Sequence, residues 1–173
     1  QRQMCIRDRG GAVLSAADRL YGPVVSPFIA ERDVIIYDQR GAGESSPLPI
    51  CTEAWDLDDA FFTTDTPHVE LRDDYTAALV ECAERLQRRD DIDLSDYSSA
   101  VHADDLLDLI RALDYDQVNL YGVSYGTRLA QTMLRDHPTS VRSSILSGVY
   151  PAEENLIGST PAAFEQAMRQ VFA

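Results

Sequence analysis

Residues 117–136 read QVNLYGVSYGTRLAQTMLRD, which runs as apolar strand, glycine-flanked serine, amphipathic helix. Val118 and Leu120 form a short apolar run behind the polar turn Asp114–Asp116, as a buried parallel strand requires. After the serine, Leu129, Ala130, Met133 and Leu134 recur at helical spacing. His137-Pro138 ends that helix, because the residue before a proline is driven out of the α region. Between strand and helix, Gly122-Val123-Ser124-Tyr125-Gly126 carries the G-x-S-x-G pattern of a nucleophile elbow. A serine hydroxyl attacks a carbonyl usefully only when it is held in the open, beside a base and beside donors for the developing oxyanion. A sharp strand-to-helix turn supplies the exposure and crowds the backbone two residues to either side, where Gly122 and Gly126 stand. An ordinary turn that happens to hold a glycine-flanked serine is the bland alternative; the strand before and the helix after favour the elbow.

The surrounding segments extend the alternation. Asp33–Asp38 (DVIIYD) and Ser143–Val149 (SSILSGV) are further apolar runs of strand length. Between the first of them and the elbow, Ser99–Leu113 sets Ala103, Leu106, Leu107, Ile110 and Leu113 on one face and turns Asp104, Asp105, Asp108 and Arg111 to water. Glu70–Gln87 is also helix-like. Helix, strand, elbow, helix, strand predicts an α/β fold, a mostly parallel sheet with helices on both faces.

The strand DVIIYD runs into Asp38-Gln39-Arg40-Gly41-Ala42-Gly43-Glu44-Ser45, and NLYGVSYGTRLA and HPTSVRSSILSGVYP follow. Together these segments resemble the α/β-hydrolase serine aminopeptidases, namely the prolyl iminopeptidases and especially the secreted tripeptidyl-aminopeptidase-like group. The resemblance spans about residues 11–172. It implies release of short N-terminal pieces, through an acyl-enzyme, from a peptide substrate with a free N-terminus. By that resemblance Ser124 is the nucleophile and the backbone N–H of Tyr125 is one oxyanion donor. The second donor in the family lies on a glycine-rich loop, for which this chain offers Arg9-Gly10-Gly11-Ala12, with Gly11 as the candidate. Asp38, Gln39, Arg40, Gly41 and Gly43 are expected to shape the floor of the site. Gly41 and Gly43 allow tight turns after a strand, Arg40 can pair with a carboxylate, and Ser45 can bond the local backbone. Arg40 is read as structural, because a guanidinium does not exchange protons at working pH.

In this fold the acid and then the histidine follow the serine on later strands. His68 and His102 precede Ser124, and His137 follows it by 13 residues, at the far end of a helix roughly 15 Å long. All three histidines are therefore read as structural or solvent-facing. The sequence is expected to begin and end inside the fold. Residues 10–150 would be the N-terminal part of the hydrolase core, with an insert-like helical segment at 51–96, and 151–173 would start a cap. There Pro161–Ala173 sets Phe164, Met168, Val171 and Phe172 along one helical face. Gln1–Arg9 (QRQMCIRDR) has no strand alternation and reads as a non-native scar, so it and Cys5 are set aside.

Composition excludes several functions. With 29 acidic against 15 basic residues the net charge is −14, which repels phosphate backbones and anionic lipid, so nucleic acid is not an expected partner. No apolar run approaches the roughly 18 residues of a membrane span. Asp91, Asp93 and Ser95 alternate as in a calcium loop, but Asp96 stands where glycine is needed and His102 where a bidentate glutamate belongs. No zinc spacing, phosphate loop or dinucleotide fingerprint occurs, so neither metal nor cofactor is expected.

The secreted relatives carry cysteines in places like Cys51 and Cys82, so the resemblance implies a bridge between them and a secreted or periplasmic location. Two reduced, partly buried thiols are the other reading of the same residues. Glu153 and Glu154 leave the C-terminal end of a strand, where open α/β sheets place ligands. They are candidates to anchor a substrate ammonium, or simply two exposed glutamates. Three functions stay open at this point: a serine exopeptidase, a carboxylesterase or other acyl hydrolase, and a non-catalytic binding module with a hydrolase shell.

Overall fold

The computed structural model describes residues 26–27, 29, 32–55, 57, 63, 67–154, 165–166 and 168–170. In chain order these form α1 (His68–Gln87), α2 (Ser99–Ala112), β1 (Val118–Val123), α3 (Tyr125–Asp136) and β2 (Val141–Ser147), with 3-10 turns at Thr52–Ala54, Leu94–Asp96 and Pro138–Ser140. Gln1–Arg9, Gly11, Phe164, Val171 and Phe172 lie outside the described residues.

Local chemistry sets the ends of the elements. Ser98 caps α2, its Oγ accepting the Val101 N–H at 3.4 Å, which satisfies one of the orphan donors of the first turn. Asp114 then reverses the chain with φ of 59°, a left-handed conformation that aspartate tolerates better than most residues. Proline at 138 stops α3, leaving His137 as its C-cap.

β1 and β2 run parallel, pairing Asn119 with Ser143 through Val123 with Ser147, with an irregularity between Val118 and Asn119. α3 is the crossover between them, as parallel neighbours demand. One cluster unites the four elements: Ala103, Leu106 and Ile110 of α2, Val118 and Leu120 of β1, Leu129, Ala130 and Met133 of α3, and Val141 of β2. Full burial of such side chains contributes about 1.5–3 kcal/mol each, so truncating Leu106 or Met133 to alanine costs about 2–5 kcal/mol once the cavity is counted.

Two expectations need correction. The run Asp33–Asp38 packs Ile35 and Tyr37 on the core cluster, yet the ladder among the described residues joins only β1 and β2. Apolar spacing places a segment on the core; only a neighbouring backbone makes it a strand. The α/β class holds, with α2 and α3 packed on one face of the described parallel pair. α2 and α3 meet on the side of Val118 and Leu120, while Ser143, Ile145 and Ser147 on the other side of β2 are exposed. Leu113, finally, lies past the end of α2 and is 40% exposed, because the turn at Asp114 takes it off the helical face.

The insert-like segment is tied together locally. Cys51 and Cys82 form a disulfide with Cα atoms 5.3 Å apart, and Cys82, Leu86 and Ile92 make a small core with Leu94 and Tyr97 against it. Arg85 donates to both oxygens of Glu53 and to the Ile50 carbonyl. The Arg85 guanidinium holds the Glu53 carboxyl down at about 2. The acidic run has equally local partners: Asp91 pairs with Arg89, and Asp93 caps the following turn by accepting the Ser95 N–H at 2.9 Å.

Candidate active site at the end of the first strand

Where β1 passes into α3, Ser124 has φ 55° and ψ −123°. That backbone costs a non-glycine residue on the order of 1–3 kcal/mol and persists only where its surroundings enforce it. Here they do. The Ser124 N–H donates to the Ser147 carbonyl at 3.0 Å, carrying the ladder into the turn. Its own carbonyl accepts the Thr127 N–H at 2.9 Å and the Thr127 hydroxyl at 2.6 Å. Serine is a strong capping residue, yet Ser124, the N-cap of α3, makes no side-chain capping bond. Its exposed hydroxyl is left available for chemistry.

Contact explains the glycine at 122. A Cβ on Gly122 would stand 2.5 Å from the Gly126 carbonyl oxygen and 3.0 Å from the Thr127 nitrogen. The two glycines of the pattern thus face each other across the turn. Gly148, with φ of 65°, brings the chain leaving β2 beside the Ser124 nitrogen. Sequence reading did not single it out, although a glycine closing a strand next to an elbow is a visible signal.

Tyr125 opens α3, so its N–H is among the first-turn donors that have no intrahelical acceptor and sits at the positive end of the helix dipole. Its phenol lies 2.8 Å from the Ser99 hydroxyl, linking the starts of α3 and α2. Among the described residues no hydrogen bond joins Ser124 Oγ to a histidine. His102 is buried on α2. His137 sits at the other end of the 12-residue α3, about 18 Å along the helix, and its Nε2 meets Asp104 Oδ1 at 2.7 Å. Its ring thus turns to the neighbouring helix rather than to the last carbonyls of its own.

The Asp38–Ser45 loop is a self-contained turn. Asp38 is buried and accepts the Glu44 N–H at 3.0 Å, and the Ser45 hydroxyl donates to the Asp38 carbonyl at 2.6 Å. A side chain on Gly43 would collide with that carboxylate, and one on Gly41 with the Tyr97 ring; both glycines have positive φ. Gln39 accepts the Ala42 N–H through its carbonyl at 3.0 Å. Arg40 grips Asp105 bidentately at 2.9 and 2.7 Å and reaches Asp96 at 3.3 Å. Hydrogen bonding to Asp105 raises its pKa still further. Asp105 therefore does not simply face water, as helical spacing suggested: a cation from the preceding loop covers it. An open cavity of about 400 Å³ lies beside this loop, walled by Tyr37, Asp38, Arg40, Ser45 and Asp105 among others.

The chain leaving β2 is fastened to α3. Thr127 Oγ1 accepts the Tyr150 N–H at 2.8 Å, and Gln131 Nε2 donates to the Tyr150 carbonyl at 2.9 Å. Arg128 donates to the carbonyls of Ala152 at 2.6 Å and Glu154 at 3.2 Å, with its guanidinium 4.8 Å from the centre of the Tyr150 ring. Glu153 and Glu154 are exposed on the fastened loop. Thr127, Arg128 and Gln131 went unnoticed in the sequence. Their spacing, polar at i, i+1 and i+4 beside an apolar face, was the available sign. No group of three or more metal-ligating side chains converges among the described residues, and no described helix is long and apolar enough to cross a membrane.

Residues 21–173 match the family described as alpha/beta hydrolase fold. A solved alpha/beta hydrolase from Nostoc sp PCC 7120, so described, is similar at 17% identity and a TM-score of 0.53, over 92% of this chain and 41% of its own. A mutant of a protein from Pseudomonas aeruginosa described as an epoxide hydrolase is similar at 19% identity and 0.53, over 94% and 40%. The thioesterase domain from the curacin biosynthetic pathway is similar at 19% identity and 0.51, over 94% and 43%. The chain thus spans about two fifths of the length of these structures. Comparison with curated proteins gives no match. With the match covering most of its length and the elbow in its expected setting, the chain belongs to the alpha/beta hydrolase fold family.

Proposed function

We propose that the protein is a serine hydrolase with Ser124 as nucleophile, and that it is an exopeptidase releasing single amino acids or short peptides from free N-termini. One observation carries the nucleophile: an exposed serine, held at φ 55° between strand and helix, whose hydroxyl makes no capping bond. In the reaction Ser124 Oγ attacks the scissile carbonyl carbon and loses its proton to a base, while the Tyr125 N–H, and Gly11 as second donor, receive the oxyanion. Collapse expels the shortened peptide as an amine, which takes that proton back from the base, and leaves an acyl ester, which water then hydrolyses to free the N-terminal piece and Ser124. No base or acid for this step is bonded to Ser124 among the described residues.

The exopeptidase assignment is supported by the resemblance of the Asp38–Ser45 and Asn119–Ala130 segments to serine aminopeptidases, and by Glu153 and Glu154. These carboxylates follow β2 on a loop fastened to the helix that starts at the nucleophile, and a net charge of −14 favours a cationic terminus. Secretion or export to a periplasm goes with the same resemblance and suits the Cys51–Cys82 bridge.

The full-length protein tests both levels. A fluorophosphonate should label it, and Ser124→Ala should abolish labelling and turnover; labelling that survives removes the nucleophile. Free-amine peptides should be trimmed and N-acetylated ones spared, with glutamine at 153 and 154 raising KM for free-amine peptides but not for blocked esters. Turnover of esters alone would replace the exopeptidase by a carboxylesterase. Folding without any turnover or labelling would leave the hydrolase shell as a binding module.

A further inference from the structure

The Ser124 carbonyl and the Tyr125 N–H belong to one peptide group. Because that group is planar and trans, its C=O and N–H point in opposite directions, and whatever fixes one fixes the other. The Ser124 carbonyl is held twice by Thr127, at 2.9 Å by its N–H and at 2.6 Å by its hydroxyl. The hydroxyl's own orientation is determined. Tyr150 N–H, 2.8 Å away, can only donate, so the single hydroxyl proton of Thr127 is directed to Ser124. Thr127 is completely buried, so water does not compete for either bond.

We infer that Thr127 is a positioning residue which aims the oxyanion-binding Tyr125 N–H by clamping the opposite end of the same peptide group, with the loop after β2 as its backstop. The inference rests on Ser124 being the nucleophile. A donor contributes to catalysis only if it already points at the site where negative charge develops, and removing one outright costs roughly 10²–10³ in kcat. Releasing its peptide group to rock leaves the donor in place but misaimed, so the loss is smaller, about 10-fold to 10²-fold. Substrate binding in the ground state does not use the donor fully, so KM moves little.

Thr127→Ser and Thr127→Ala separate the hydroxyl from the packing of the methyl group, because the two variants differ by one oxygen. In the full-length protein the probes are a fluorophosphonate, whose phosphonyl oxygen takes the oxyanion position, and a p-nitrophenyl acyl ester. The serine variant should label within about threefold of wild type. The alanine variant should label at least about tenfold more slowly than the serine variant, with kcat reduced to match and KM within about twofold. Equal labelling by the two variants, or a loss in KM instead of kcat, would overturn the inference. So would a folded serine variant beside an unfolded alanine variant, since the oxygen would then be a stability element. A wild type that shows no Ser124-dependent labelling would remove the nucleophile, and the inference with it; equal rates in the two variants would remove the inference alone.

Discussion

Replacing Gly122 with alanine puts the elbow under the most direct mechanical test. The new methyl carbon would stand 2.5 Å from the Gly126 oxygen, 2.8 Å from its carbonyl carbon and 3.0 Å from the Thr127 nitrogen, whereas ordinary contact begins near 3.4 Å. Relief therefore needs a displacement of roughly half an ångström to one ångström. The atoms in the way are backbone of the first turn of α3, so no side-chain rotation absorbs it. The start of α3 must move off β1, carrying Ser124 and Tyr125. Overpacking of this kind costs about 1–3 kcal/mol, and misplacement of reacting groups by about 1 Å costs about 10²-fold in rate. Urea unfolding of the full-length variant should show the first, and the second-order rate of fluorophosphonate labelling the second. A variant with wild-type stability and wild-type labelling would refute the account of why glycine stands at 122, and with it the geometry assigned to the elbow.

Three further outcomes follow from other parts of the molecule. Changing Cys51 and Cys82 to serine should lower stability by about 3–4 kcal/mol, from the loop-closure entropy of a sequence separation of 31; a change under about 1 kcal/mol in guanidinium unfolding would show the loop is already ordered without the bridge. The Glu53 carboxyl is lowered from 4.5 to about 2 by Arg85, so its contribution to stability is present above pH 4.5 and is lost as pH falls through that range toward 2. The Tm gap between wild type and Glu53→Gln should accordingly be constant from pH 7 to 5 and close below that; a gap that widens on acidification would reverse the sign. The 173 residues expressed alone should show no Ser124-dependent turnover above about 1 s⁻¹, the low end of ordinary enzymes, because no described histidine bonds Ser124; faster turnover would reveal a base within these 173 residues.

What the sequence disclosed was decided by distance along the chain. The elbow, its strand and its helix occupy 117–136, and their physics is local: helical spacing, a proline stop, and two glycines pressed together by a turn. Those features are written in neighbouring residues. The partners of Arg40 were legible only as a type, some carboxylate. Which one depended on α2 arriving 65 residues later to offer Asp105. The same limit hid the role of Thr127, whose bond to Ser124 is three residues long but whose second bond crosses 23 residues to Tyr150. It also explains the error at Asp33–Asp38. An apolar run records that side chains will be covered, and Ile35 and Tyr37 are packed on the core, but a ladder is a statement about a second backbone that the run itself does not contain.

Substrate choice sits at the far end of that scale. The G-x-S-x-G turn is common chemistry on this fold, and structures similar to this chain are described as an epoxide hydrolase and a thioesterase domain, so the elbow alone does not decide what is bound. Selection must come from the segments that surround the strand ends. In this chain one of them is held by the elbow's own helix: Thr127, Arg128 and Gln131 fasten Tyr150–Glu154 through backbone groups and leave the carboxylates of Glu153 and Glu154 outside. A loop fixed by its backbone can change its side chains without disturbing the peptide group that presents Tyr125. Under the proposed function two tasks would be physically separate: α3 would keep the oxyanion donor constant, while 153 and 154 would set the charge that a substrate meets.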